Sequence, residues 1–206
     1  MSNLRFLALG DSYTIGERVS EAERWPNQVA QLLVNQRLPV DVTIIARTGW
    51  TTSELWSGIQ QTPPQPPYDM VSLLIGVNNQ YRGGDPDTYR QEFVFLLQKA
   101  VEYAGGDPQR VIVLSIPDWG VTPYAGLRDS KKIAREIEQF NAINLEEAQR
   151  AGVHYVDVTP VSRQAVSDRD LIAADGLHPS GKMYAEWAKL VLPMAQEILS
   201  SETPKP

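Results

Sequence analysis

The sequence predicts an α/β protein of three layers, α/β/α, with a five-stranded parallel sheet in the order 2-1-3-4-5. Two observations predict it. Five short runs rich in apolar and β-branched residues alternate with five longer segments whose apolar residues recur at helical spacing. Strands that alternate with helices read as βαβ units and hence as a parallel sheet. The runs are also close to continuously apolar, Val71–Ile75 most clearly, as strands covered by helices on both faces are.

The elements follow in order. Leu4–Leu9 is the first strand, and Trp25, Val29, Leu32 and Leu33 mark the first long helix behind it. Val40–Ala46 is the second strand. Thr51 or Thr52 caps a short helix that carries Leu55, Trp56 and Ile59. Pro63–Pro67 reads as a rigid loop, and Met70–Ile75 is the third strand. Asp85-Pro86 opens a helix that buries Tyr89, Phe93, Leu96, Leu97 and Ala100, and Gly105-Gly106 ends it. After the fourth strand, Arg110–Ile116, the positions Ile133, Ile137, Phe140, Ile143, Asn144 and Ala148 mark a long helix closed by Gly152. Val153–Val158 is the fifth strand, and a last helix runs from Ser180, as a cap, to about Leu199. Residues 1–200 read as a single domain, with a polar tail at 201–206 that is expected to fray.

Composition narrows the function classes. Among 206 residues, 42% are hydrophobic and 21% charged, and the formal net charge is −6. There is no Lys/Arg-rich run, so no footprint for nucleic acid, and the negative charge argues against docking on anionic membranes. The chain has no cysteine, which excludes disulfides, thiolate catalysis and thiolate metal sites. No segment approaches the ~20 apolar residues of a membrane-spanning helix. Leu4–Gly10 contains Arg5 and makes a poor signal peptide, so a cytoplasmic location is expected.

The candidate site residues all follow strands. Ligands of open parallel sheets bind outside the carboxyl ends of the strands. Ser12 follows the first strand in Gly10-Asp11-Ser12-Tyr13, Gly49 the second, and Asn78 the third in Gly76-Val77-Asn78-Asn79; Asp175 and His178 lie in the loop after the fifth. Parallel strands deliver all of them to one rim.

A serine after a strand is commonly a helix cap. It becomes a nucleophile only when a base takes its proton. Of the two histidines, His154 sits in a strand-like alternation and reads as structural, whereas His178 sits in a loop beside Pro179. Asp175 precedes His178 by three residues across a glycine-containing turn. That spacing brings a carboxylate to Nδ1, where it fixes the tautomer and stabilises the imidazolium. The competing readings are a turn-capping Asp175 with a solvated His178, or a metal site, which lacks an obvious third ligand. The backbone N–H groups of Ser12 and Gly49 and the Asn78 amide would supply donors for an oxyanion. Trp50, Tyr81, Arg82, Trp119 and Tyr124 are the loop residues expected to shape substrate choice, either lining a pocket or covering the sheet end.

These segments, in this order, resemble the SGNH hydrolases, the GDSL-type esterase/lipase superfamily. Gly10-Asp11-Ser12, Gly49, Gly76-Val77-Asn78 and Asp175-Gly176-Leu177-His178 match its four signature blocks. The resemblance implies a flavodoxin-like α/β/α fold, Ser12 as nucleophile, His178 as base, Asp175 as orienting acid and an oxyanion hole of Ser12, Gly49 and Asn78. Two positions depart from the pattern. Tyr13 stands where the first block has Leu, and Asn79 where the third commonly has Asp. Asn79 is expected to support its loop, and Asp11 to bond nearby loop amides. The expected activity is hydrolysis of carboxylic esters, short-chain or small soluble ones, through an acyl-Ser12 intermediate and with no metal or organic cofactor. Lysophospholipids and carbohydrate acetyl esters fit the same chemistry. A non-catalytic binding module would keep the fold, and so would a flavodoxin or receiver-like domain, for which the first loop offers only Asp11 and Glu17.

Overall fold

Strand β1, Leu4–Gly10, is an inner strand of the sheet and is buried from Phe6 onward. In the computed structural model, which describes residues 3–200, β1 pairs with β2 (Val40–Ala46) on one side and β3 (Met70–Leu74) on the other. β4 (Val111–Leu114) and β5 (His154–Val156) extend the sheet beyond β3. Every pairing is parallel and the order is β2-β1-β3-β4-β5, as the alternation of strands and helices predicts. β3 is buried at every position, whereas β2, at the edge, alternates between buried and exposed residues.

Two helical layers cover the sheet. On one face α2 (Trp25–Val34) packs against α8 (Gly181–Ser200), which runs through Pro193. On the other, α3 (Thr52–Gln61), α5 (Pro86–Tyr103) and α6 (Ser130–Ala151) pack side by side. The caps are those the sequence suggests. Thr51 forms a capping box with Glu54, Asp85 accepts from the Thr88 N–H, and Gly152 closes α6 in a left-handed conformation.

Three short helices depart from the expected loops. α1 (Ser12–Ile15), α4 (Val77–Tyr81) and α7 (Thr159–Arg163) each follow a strand. β5 is also shorter than the expected Val153–Val158. Ser115 Oγ accepts the N–H groups of Val158 at 2.7 Å and Thr159 at 3.0 Å, which draws the chain out of the ladder. Among the described residues no helix is long and apolar enough to cross a membrane. The expected tail at 201–206 lies outside the described residues.

Candidate active site

The carboxyl ends of β1, β2, β3 and β4 open on one cleft of about 160 Å³, lined by Ser12, Gly49, Asn78 and His178 among others. β1 ends at Gly10, and Asp11 turns the chain into α1 by accepting the Tyr13 N–H on Oδ1 at 3.0 Å. Ser12 is therefore the first residue of a helix, 5% exposed. Asp11 is fully buried, and among the described residues its Oδ2 has no hydrogen-bond partner. Burial pushes its carboxyl up to about 7, against the lowering effect of the Tyr13 amide.

The loop bearing His178 is a tight turn. An antiparallel bridge joins Ile172 to Pro179, and Ala173 N donates to His178 O at 2.8 Å. Inside it, Asp175 Oδ1 accepts the amides of Leu177 and His178, both at 3.0 Å, which leaves Oδ2 for His178 Nδ1 at 2.6 Å. Burial acts to raise the Asp175 carboxyl, but the His178 ring and the two amides together hold it below the ordinary carboxylate range. The side chain is thus an anion at neutral pH. Arg18, at φ +68°, places Nε 3.7 Å from the same Oδ2; no signal in the sequence points to it. The Tyr13 ring stands edge-on to His178 with centroids 6.0 Å apart. No hydrogen bond joins Ser12 Oγ to the His178 ring among the described residues. Such bonds commonly tighten only when substrate is bound.

Gly49 has φ +87°, a conformation that costs a side chain strain but is open to glycine. Two bonds from the β3 side fix its loop. Arg82 Nη2 donates to Gly49 O at 2.6 Å, and Asn78 Nδ2 donates to Trp50 O at 2.9 Å. An amide nitrogen has two protons, so one Asn78 N–H remains for the cleft. Asn79 braces α3: its Oδ1 accepts from Thr52 N at 3.1 Å and its Nδ2 donates to Thr52 Oγ1 at 2.7 Å. Thr52 Oγ1 donates its own proton to Glu92, so the neighbour at position 79 has to be a donor. That is a physical reason for an amide where the resembling proteins commonly have Asp.

Tyr81, Trp119 and Tyr124 line the cleft, together with Tyr13, Thr48, Val77 and Leu177, which the sequence reading did not single out. Trp50 is not among them. A Cβ built on Gly58 would lie 2.0 Å from a Trp50 ring carbon, so the ring packs on α3 and only the Trp50 carbonyl serves the site. Arg82 likewise braces the Gly49 loop and pairs with Glu54 at 3.1 Å rather than lining the cleft. His154, on β5, contacts the Gln109 carbonyl through Nε2 at 2.9 Å and takes no part.

Known proteins bear on the family and the fold. The family model of the GDSL-like Lipase/Acylhydrolase family matches residues 8–186. No curated protein sequence matches the chain. Among solved structures, the lipase/acylhydrolase from Enterococcus faecalis superposes with a TM-score of 0.73 at 20% identity, covering 98% of this chain and 99% of that one. An acetylxylan esterase from Geobacillus stearothermophilus gives 0.69 at 18% identity, covering 96% and 94%. The lipase Lip_vut3 from a goat rumen metagenome gives 0.74 at 17%, covering 93% and 97%. At these identities the structures speak for the fold, and the match along most of the sequence speaks for descent. The chain belongs to the GDSL-like Lipase/Acylhydrolase family.

Proposed function

We propose that this acylhydrolase cleaves carboxylic esters of short acyl chains, with Ser12 as nucleophile, His178 as general base and Asp175 as the orienting anion. The observation that carries the reading is the 2.6 Å Asp175–His178 pair facing the cleft that Ser12 shares. With its Nδ1 proton held by Asp175, the ring presents Nε2 as an acceptor. It takes the Ser12 Oγ proton as Oγ attacks the ester carbonyl carbon. The N–H groups of Ser12 and Gly49 and the Asn78 amide receive the oxyanion. The bond to the alcohol oxygen then breaks, and His178 returns the proton to that oxygen. Water repeats the sequence on the acyl-Ser12 ester, releasing the acid and restoring the hydroxyl. No step calls for a metal or an organic cofactor, and the partner is a small-molecule ester.

Size supports the short acyl chain. An apolar cavity of about 150 Å³ holds a molecule the size of benzene, and this cleft measures about 160 Å³. A panel of p-nitrophenyl esters from acetate to palmitate, run beside acetylated sugars and lysophospholipids, tests the reading. Turnover of the acetate-to-hexanoate members, lost in Ser12→Ala, is the expected result. Equal turnover by Ser12→Ala would remove Ser12 from the role.

A further inference from the structure

One wall of the cleft is built of three rings from two loops. Tyr81 stands at the end of α4, while Trp119 and Tyr124 come from the segment after β4; the Tyr81–Trp119 centroids are 5.4 Å apart and the Trp119–Tyr124 centroids 6.2 Å. The rings are held very differently. Trp119 is 4% exposed and donates Nε1–H to Gln80 Oε1 at 2.8 Å. Tyr124 lies under the Arg128 guanidinium, 5.1 Å from the ring centroid, and Arg128 Nη1 donates to its carbonyl at 2.9 Å. Tyr81 is 46% exposed, and its hydroxyl is tied to the fold through a 3.0 Å bond to the Tyr124 hydroxyl.

Tyr81 and Trp119 also line a second, larger groove of about 620 Å³. Its buried lining includes Trp119 and Ile133, and Arg128 and Lys132, with the carboxylates of Asp129 and Glu136, stand at its rim. Long basic side chains of this kind offer aliphatic stems to an apolar ligand while their charges stay in water. The cleft and the groove are thus separated by one fixed ring and one exposed ring.

Resting on the ester-hydrolase reading above, we propose that Tyr81, latched to Tyr124, sets the acyl chain length by closing the cleft off from this groove. An acyl group that fits within the cleft is held short of the Tyr81 ring. A longer chain has to displace that ring, breaking the hydroxyl pair, before it reaches Trp119 and Ile133 beyond. Trp119 cannot yield in the same way, because it is buried and hydrogen-bonded. The barrier is therefore Tyr81, and the preferred substrates are esters of acids with about two to six carbons.

The test compares wild type, Tyr81→Ala and Tyr124→Phe on p-nitrophenyl acetate and octanoate, read as the ratio of kcat/KM for octanoate to that for acetate. Each methylene newly buried contributes roughly fourfold, so two admitted by Tyr81→Ala raise the ratio about fifteenfold. Tyr124→Phe keeps both rings and removes the latch, and it raises the ratio by a smaller factor. Titration with a fluorophosphonate and a thermal melt give the active and folded fractions of each variant. An unchanged ratio in folded, labelled Tyr81→Ala overturns the proposal. A rise in Tyr81→Ala without one in Tyr124→Phe overturns the latch and leaves the ring as the barrier. Wild type that neither turns over an ester nor incorporates fluorophosphonate defeats the ester-hydrolase reading itself, and this inference with it.

Discussion

Asp175 divides its two oxygens between two tasks: Oδ1 closes the turn by accepting two amides, and Oδ2 holds the His178 ring. A spacing of three residues allows both, which is why the pair was legible in the sequence. Asp11 is the opposite case, a carboxyl buried with one oxygen unpartnered. Its folded value of about 7 lies above the ordinary 3.8. Below pH 3.8 both folded and unfolded forms carry the proton and the shift takes nothing from stability. Between the two values the unfolded chain ionises first, so stability is lost by about 1.4 kcal/mol per pH unit as pH rises, and the loss is complete above about 7. Asp11→Asn keeps the acceptor for Tyr13 N–H and removes the titration. Denaturant melts at pH 5 and pH 8 should show the variant gaining on wild type at the higher pH; a constant difference would mean that Asp11 is ionised throughout. Ser12, Gly49 and Asn78 could be placed from the chain because each closely follows a strand, and Asp175 and His178 because their spacing suits a carboxylate–imidazole pair. The direction of the Trp50 ring could not, since it depends on the bare Cα of Gly58, eight residues on and on another element. Arg18 was equally invisible, because its approach to Asp175 depends on a left-handed backbone that no neighbouring residue announces.

Among the elements, the strands and the long helices were readable because period and caps agree along many residues. Asp85, Thr51 and Gly152 cap where their chemistry suggests. α1, α4 and α7 escaped notice because four or five residues carry too little periodicity to register. They are held by a few specific bonds: the local Asp11 cap at α1, and at α4 the bonds from Asn78 and Arg82 to the Gly49–Trp50 loop. α3 shows how one element serves the site indirectly. Its Gly58 makes room for the Trp50 ring, which keeps the Gly49–Trp50 loop close to α4. Gly58→Ala would force that ring aside and should destabilise the fold by about 1–3 kcal/mol, the usual cost of overpacking. A urea midpoint that falls with an unchanged slope is the expected reading, and an unchanged midpoint would show that the ring is free to move.

At the scale of the molecule, the parallel sheet turns sequence distance into spatial contact. Ser12 and His178 are 166 positions apart in the chain, and both line one cleft because β1 and the segment before α8 emerge on the same rim. The layer order and the rim were legible from alternation alone. The size of the cleft and the ring wall beside it were not, because they arise from side chains on separate loops that meet only in the folded state. The central claim is that Ser12 becomes nucleophilic because His178, held by Asp175, takes its proton. Its most direct measurement is peptide mapping by mass spectrometry after exposure of folded wild type and His178→Ala to a fluorophosphonate. Rapid phosphonylation of Ser12 in wild type, and its loss in His178→Ala that still melts cooperatively, is the predicted result. Label on another residue, or equal labelling of Ser12 in both proteins, would contradict it.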